Sequence, residues 1–124
     1  MQRFESSIPY NKKYMMIAET TPDKWLVLEI PNIGYKVFAT WAGGYTDSDK
    51  WRLNSGIKSV TKEGNDYLIE GYSKTIYRCN KNSYGVMTSW GRNVLESILN
   101  KAIDNGVIIK ELTFDEFDKL TFDE

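Results

Sequence analysis

The strongest constraint on the fold of this chain is an amphipathic pattern in its last third. Apolar residues recur there at spacings of one, three and four, which places them on one face of an α-helix: Val94, Leu95, Ile98, Leu99, Ala102 and Ile103. Asn93 and Glu96 have the spacing of a capping box that would begin the helix, and Ser89 offers an earlier start. Asn105-Gly106 supplies a left-handed stop. A helix of this kind has to cover another element with its apolar face.

The segment before this helix has the composition of strands separated by turns. Residues 25–30 are rich in β-forming residues and almost all apolar, which predicts a central strand. Residues 14–18 form a shorter apolar run, and the intervening Thr20-Thr21-Pro22-Asp23 has turn chemistry, so we expect these two runs to form a hairpin. Residues 35–41 resume the strand pattern. Their alternation of apolar and polar residues is imperfect, so a helix is the alternative prediction for this segment.

Four further strands and a terminal helix complete the prediction. Residues 57–62 and 67–71 flank a polar, glycine-containing stretch typical of a hairpin loop, and residues 75–79 and 107–109 continue the strand pattern. Thr113 and Glu116 have capping-box spacing for a short helix carrying Phe117. We therefore predict one α+β domain over residues 1–124. It has an antiparallel sheet of about five or six strands packed against one C-terminal amphipathic helix, and then a short acidic helix.

Composition excludes several classes of protein. The chain has 124 residues and a hydrophobic content of 41%, which suits one domain with a real core. It contains no histidine, so the commonest general base and the commonest transition-metal ligand are missing. Cys79 is the only cysteine, so no internal disulfide can form, and we expect a buried, unreactive thiol. Neither a signal peptide nor a membrane span is recognisable, so we expect a cytoplasmic protein.

The charge is divided unevenly along the chain. Residues 111–124 hold six acids and one base, which leaves 11 of the 17 acids and 15 of the 16 bases in the preceding part. The body therefore has a net charge of +4 and the tail −5, with residues 1–12 predicted as a flexible arm or edge. This asymmetry is consistent with a body that binds anions, although a mild imbalance of this size is more often ordinary surface charge. Extended nucleic acid is disfavoured because no dense basic stripe is present.

Arginine residues beside large aromatic residues are the first candidates for anion contacts. Arg52 follows Trp51 and Arg78 follows Tyr77, and a guanidinium offers forked donors that suit phosphate. Arg92 lies near the predicted start of the helix, whose N-terminus adds positive potential. The alternative for each arginine is a surface ion pair.

Aromatic and small polar residues near loops complete the candidate site. Trp41, Tyr45 and Tyr84 each adjoin a loop and could stack on a base, although most aromatic residues of β-rich domains belong to the core. Small polar and basic side chains could contact phosphate or ribose, with ordinary turn chemistry as the alternative; they are Asn54, Ser55, Ser73, Lys74 and Asn93. No phosphate-loop or dinucleotide fingerprint is present, and no metal site or cofactor is predicted.

Two motifs carry a resemblance to known proteins. Residues 51–57 (WRLNSGI) and 71–79 (GYSKTIYRC), followed by Tyr84-Gly85, resemble small proteins of phages and prophages of Gram-positive bacteria. Those proteins often have Ser-Gly-Ser where this chain has Ser73-Lys74-Thr75. The chain also resembles the Thoeris anti-defence sponges. These phage proteins sequester cyclic ADP-ribose-type immune signals without cleaving them. This resemblance implies a homo-oligomer in the host cytoplasm, with ligand pockets at subunit boundaries.

The functional expectation is therefore a phage-encoded anti-defence protein that binds a small nucleotide-like anion and performs no catalysis. Arginine residues and the helix N-terminus would hold phosphates, aromatic rings would stack on the base, and asparagine and serine would fix the ribose. The alternative is an inhibitor that binds a host defence protein, such as an anti-CRISPR protein, through its acidic tail and aromatic surface. An unrecognised hydrolase of the same ligand is the third hypothesis.

Overall fold

The computed structural model describes residues 18–43, 49–85 and 87–121. In this part of the chain, the α+β class is confirmed. The strands are β1 (Ala18–Thr20), β2 (Lys24–Ile30), β3 (Gly34–Trp41), β4 (Lys50–Leu53), β5 (Ser59–Glu63), β6 (Asp66–Glu70), β7 (Thr75–Asn80) and β8 (Lys110–Glu111). The helices are α1 (Ser89–Asp104), α2 (Phe114–Asp118) and a 3-10 turn (Lys81–Ser83). Residues 1–12 and 14–17, which include the predicted arm and most of the predicted first strand, lie outside the described residues.

The strands form two sheets of four strands instead of one larger sheet. The first sheet has the order β1-β7-β6-β5, in which β1 is parallel to β7 and the other pairs are antiparallel. The second sheet has the order β4-β3-β2-β8 and is antiparallel throughout. The predicted hairpin of the first two strands is therefore wrong. β2 pairs with β3 because Asn32 (φ 67°) and Gly34 (φ 119°) adopt the left-handed backbone that a tight reversal requires.

Strand β2 is buried on both of its faces, which explains its continuous apolar sequence. Trp25 and Val27 belong to the core between the two sheets, whereas Leu26 and Leu28 pack against α1. Because successive side chains of a strand point to opposite faces, only a strand covered on both sides needs an apolar residue at nearly every position. The second sheet is thus the middle layer, between the first sheet and α1.

The core between the sheets is closed at one end by the C-terminal segment. Leu112 and Phe117 are buried there, and the Phe117 ring lies 5.4 Å from the indole of Trp25, edge to face. The capping box predicted for α2 is confirmed, because the Thr113 hydroxyl accepts from the Glu116 amide and the Glu116 carboxylate accepts from the Thr113 amide. The acidic segment is therefore partly a core element.

Helix α1 begins earlier than the apolar periodicity suggested. Its N-cap is Thr88, whose hydroxyl accepts a hydrogen bond from the Gly91 amide at 3.0 Å. A side chain at Gly91 would come within 3.3 Å of Thr40 on the second sheet, so the close approach of helix to sheet fixes this first turn. Asn93 therefore lies inside the helix, and the predicted cap at that residue is wrong. The stop at Asn105-Gly106 is confirmed, with Gly106 at φ 80°.

The remaining expectations have mixed outcomes. Residues 34–41 are a strand, and the hairpin of β5 and β6 is confirmed, with Gly64 at φ 64° in its turn. The strand predicted at residues 107–109 instead begins at Lys110, where the chain reaches Leu28 and Glu29 of β2. None of the helices in the described part of the chain is long and apolar enough to cross a membrane.

Candidate functional site

The two motifs singled out in the sequence meet in space. The loop that follows β4 packs against the turn between β6 and β7, where the Ser55 hydroxyl accepts from the Ser73 amide at 3.0 Å and the two hydroxyl oxygens are 3.4 Å apart. A side chain at Gly71 would lie 3.1 Å from both the Gly56 carbonyl and the Ser55 hydroxyl. Glycine at residue 71 therefore permits this close approach of loop and turn.

Asn54 holds the loop in place from the inside. Its side-chain oxygen accepts from the amides of Val37 (2.8 Å) and Gly56 (3.2 Å), and its amide nitrogen donates to the Gly56 carbonyl (3.0 Å). Its own backbone amide donates to the Val37 carbonyl, so Asn54 satisfies both backbone groups of Val37 beyond the end of β4. Because only 6% of the residue is exposed, Asn54 positions the loop and does not itself contact a ligand at the surface.

Lys74 occupies a left-handed position in the β6–β7 turn. Its φ is 67°, and its amide donates to the Gly71 carbonyl. A non-glycine residue pays a conformational cost there, which glycine avoids. In this chain the turn instead presents an exposed ammonium group.

Tyr72, in the same turn, covers the loop and is 65% exposed. Two of its ring carbons lie 3.1 Å from the point where a side chain at Gly56 would begin. Tyr72 was not among the residues predicted for the site. The signal that could have identified it is its position inside the turn motif, next to Ser73.

Two cations of β4 lie beside two aromatic rings. Arg52 is paired with Ala39 and Lys50 with Trp41, so both point to the side of the second sheet that faces the first sheet. The rings of Trp41 and Tyr77 are 6.1 Å apart, edge to face. Burial raises the pKa of the Tyr77 phenol, and the nearby Arg52 guanidinium partly offsets this increase.

These residues form a strip along one edge of the sandwich. The contact of Trp41 with Tyr77 places β7 over β3, and that of Trp25 with Tyr67 places β6 over β2. The outer strands β1 and β4 therefore face each other at this edge. Ser55 follows Arg52 by three residues, about 10 Å along an extended chain. We call this strip the edge site, and it consists of Trp41, Lys50, Arg52, Ser55, Tyr72, Ser73, Lys74 and Tyr77. Lys50 was missed by the sequence analysis, although its spacing of two from Arg52 places both on one strand face.

Arg78 lies away from the edge site, and its guanidinium is paired with carboxylates. Its Nε donates to Glu19 at 2.7 Å, and its Nη1 donates to Glu63 at 3.0 Å and to Asp66 at 3.1 Å. These three hydrogen bonds raise the pKa of the Arg78 guanidinium, and the bond to Glu19 has the largest effect. Arg78 is therefore not retained as an anion ligand.

Arg92 is also paired with carboxylates, on another surface of the protein. Its two terminal nitrogens donate to the carboxylate of Glu111 on β8 at 2.9 and 2.7 Å, and Nη2 lies 2.9 Å from Glu96. The Glu111 contact is the main cause of the raised pKa of Arg92. The neighbouring Asn93 is exposed on α1. The three predicted arginine residues thus occupy three different surfaces, and only Arg52 stays in the site.

Tyr84 connects core elements instead of facing the edge site. Its hydroxyl accepts from the Val27 amide at 3.0 Å and donates to the Leu112 carbonyl at 2.7 Å. Its ring contacts Trp25 edge to face, with the centroids 4.7 Å apart. Burial raises the pKa of Tyr84 to about 12. Tyr45, the remaining aromatic candidate, lies outside the described residues.

The part of the chain that the structure describes contains no group of three or more His, Cys, Asp or Glu residues that could hold a metal ion. Cys79 is buried between the sheets, and burial raises the pKa of its thiol. Comparisons of the chain with protein-family models, with curated proteins and with solved structures found no match. The functional proposal therefore depends on the geometry of the edge site.

Proposed function

We propose that this protein captures a small nucleotide-like anion at the edge site and releases it chemically unchanged. The observation that carries the proposal is the meeting of the two motifs, which aligns hydroxyl groups, cations and rings along one edge of the sandwich. Lys50, Arg52 and Lys74 have no carboxylate partner among the described residues, in contrast to Arg78 and Arg92.

The edge site supplies the contacts that a nucleotide needs. The Arg52 guanidinium suits two phosphate oxygens, and a hydrogen bond to a charged group contributes about 1.5 to 3 kcal/mol. The Lys50 and Lys74 ammonium groups add positive charge on either side of it. The exposed ring of Tyr72, or the half-buried indole of Trp41, offers a stacking surface worth on the order of 1 to 3 kcal/mol per base.

The resemblance to Thoeris anti-defence sponges suggests the ligand class within this proposal. A cyclic ADP-ribose-type immune signal has phosphates, ribose hydroxyls and a flat base, which match the cations, serine hydroxyls and rings of the edge site. The chain contains no histidine to act as a general base, which favours sequestration over hydrolysis. In this proposal the protein is phage-encoded and lowers the free concentration of the signal in the host cytoplasm.

The test compares two charge-matched double variants by equilibrium dialysis with cyclic ADP-ribose and ADP-ribose. Arg52→Gln with Lys74→Gln removes two cations of the edge site, and we expect the dissociation constant to rise about tenfold or more. Lys101→Gln with Lys119→Gln removes two exposed cations elsewhere and should leave affinity nearly unchanged. Equal affinities of the two double variants, or no binding of either compound by the unmodified protein, would contradict the proposal.

The fate of the ligand is tested with the same complex. After removal of free ligand, heat denaturation should release the compound intact, as judged by liquid chromatography. Recovery of hydrolysis products would show that the protein is an enzyme, and this result would refute sequestration while leaving the binding site in place.

A further inference from the structure

The outer face of the first sheet is a second surface of distinct chemistry. In the register of this sheet, Ile76 lies between Glu70 and Glu19 in one row, and Leu68 lies beside Arg78 in the next. Leu68 and Ile76 are only half-buried, and neither belongs to a core cluster, so no described element packs on this face. Among residues 18–43, 49–85 and 87–121 it is a sheet face without a covering element, and its centre is apolar.

This face carries an excess of negative charge. Glu63 and Asp66 form a third row beside Arg78. Together with Glu19 and Glu70 they give the face four carboxylates and one guanidinium, a net charge of −3. Arg78 already contacts three of the four, those of Glu19, Glu63 and Asp66. Each of these carboxylates still has unused acceptor positions, because an ionised carboxylate can accept about four hydrogen bonds.

We propose that the outer face of the first sheet docks a basic segment of a partner protein. Charge complementarity selects this occupant, since arginine and lysine side chains can place their charged ends beside the four carboxylates. Their aliphatic stems can then cover Leu68 and Ile76. Nucleic acids and free phosphates are excluded from this face by its charge.

The proposal is independent of the function proposed for the edge site. Strand β7 carries both surfaces, because Tyr77 points between the sheets whereas its neighbours Ile76 and Arg78 point outward. A basic partner on the outer face and an anion at the edge site therefore occupy opposite sides of the same strand. They should bind at the same time without competition.

The test uses a fluorescein-labelled oligoarginine peptide as the probe, with binding followed by fluorescence anisotropy at low salt. Glu63→Gln with Glu70→Gln should weaken binding about fivefold or more. The matched control is Asp104→Asn with Asp115→Asn, which changes the net charge equally at exposed positions elsewhere and should change affinity less than about twofold. Thr61→Lys, on the outer face beside Leu68, keeps every ion pair and should weaken binding as well.

Each outcome decides the proposal. Equal weakening by the two double variants would show that net charge alone attracts the peptide and would overturn it. Unchanged binding by both Thr61→Lys and the Glu63/Glu70 double variant would overturn it too. The other possible occupant of the face is a second copy of the chain, and sedimentation velocity tests for it. Self-association that Thr61→Lys abolishes would assign the face to that second copy and would contradict the proposal. Peptide-induced amide shifts centred on Leu68 and Ile76 would support it.

Discussion

Replacement of Asn54 by alanine should destabilise the protein far more than a typical loop substitution. The side chain makes three hydrogen bonds, of 2.8, 3.0 and 3.2 Å, and each contributes about 1 kcal/mol net. Its loss also leaves the Val37 amide of β3 without this acceptor, at a buried position. We therefore expect Asn54→Ala to lower the free energy of unfolding by about 3 kcal/mol, and the melting temperature by roughly 10 °C.

Urea denaturation followed by tryptophan fluorescence measures this loss. The transition midpoint should move to lower urea while the slope of the free energy against urea stays the same, because the surface exposed on unfolding is unchanged. Asn93→Ala is the matched control. Asn93 is exposed on α1, and alanine is the better helix former, so stability should stay equal or rise by up to about 0.5 kcal/mol. A loss below about 1 kcal/mol in Asn54→Ala would refute the scaffolding role of its side chain.

Three further predictions follow from the geometry. Lys74→Gly should raise the free energy of unfolding by about 1 kcal/mol in the same urea assay, because φ is positive there, yet should weaken capture of cyclic ADP-ribose. Burial raises the pKa of Tyr67 and of Tyr84 from 10.0 to about 12. The unfolded chain therefore ionises first, so the stability that these two phenols contribute should be fully present below pH 10 and be lost between pH 10 and 12, with a smaller loss in Tyr84→Phe. Cys79 should react with a thiol reagent about a hundredfold more slowly in the native protein than in urea.

Local signals accounted for most of the secondary structure. Hydrophobic period, glycine at left-handed turns and the Thr113 capping box identified α1, α2 and the hairpin of β5 and β6. The start of α1 could not be resolved in this way, because Asn93 and Thr88 are both acceptable caps locally. The choice depends on the contact of Gly91 with Thr40, which belongs to a different layer of the fold.

Long-range pairing was beyond what the sequence could predict. Whether a strand joins one sheet or another depends on contacts between distant residues. One sheet of five or six strands was therefore expected, whereas the described residues form eight strands in two sheets. The same limit applies to the arginine residues. Arg78 meets Glu19 across 59 residues and Arg92 meets Glu111 across 19, and nothing local marks these acids as partners.

The placement of Leu112 and Phe117 between the sheets has a consequence for how the chain acquires its fold during synthesis. Trp25 and Val27 are made early, but the aromatic core around them stays open to water until residue 117 has left the ribosome. Closure then depends on contacts of large sequence separation, which form slowly. A nascent chain of this protein should therefore hold an exposed aromatic surface for most of its translation, and would be a natural client for a chaperone at that stage.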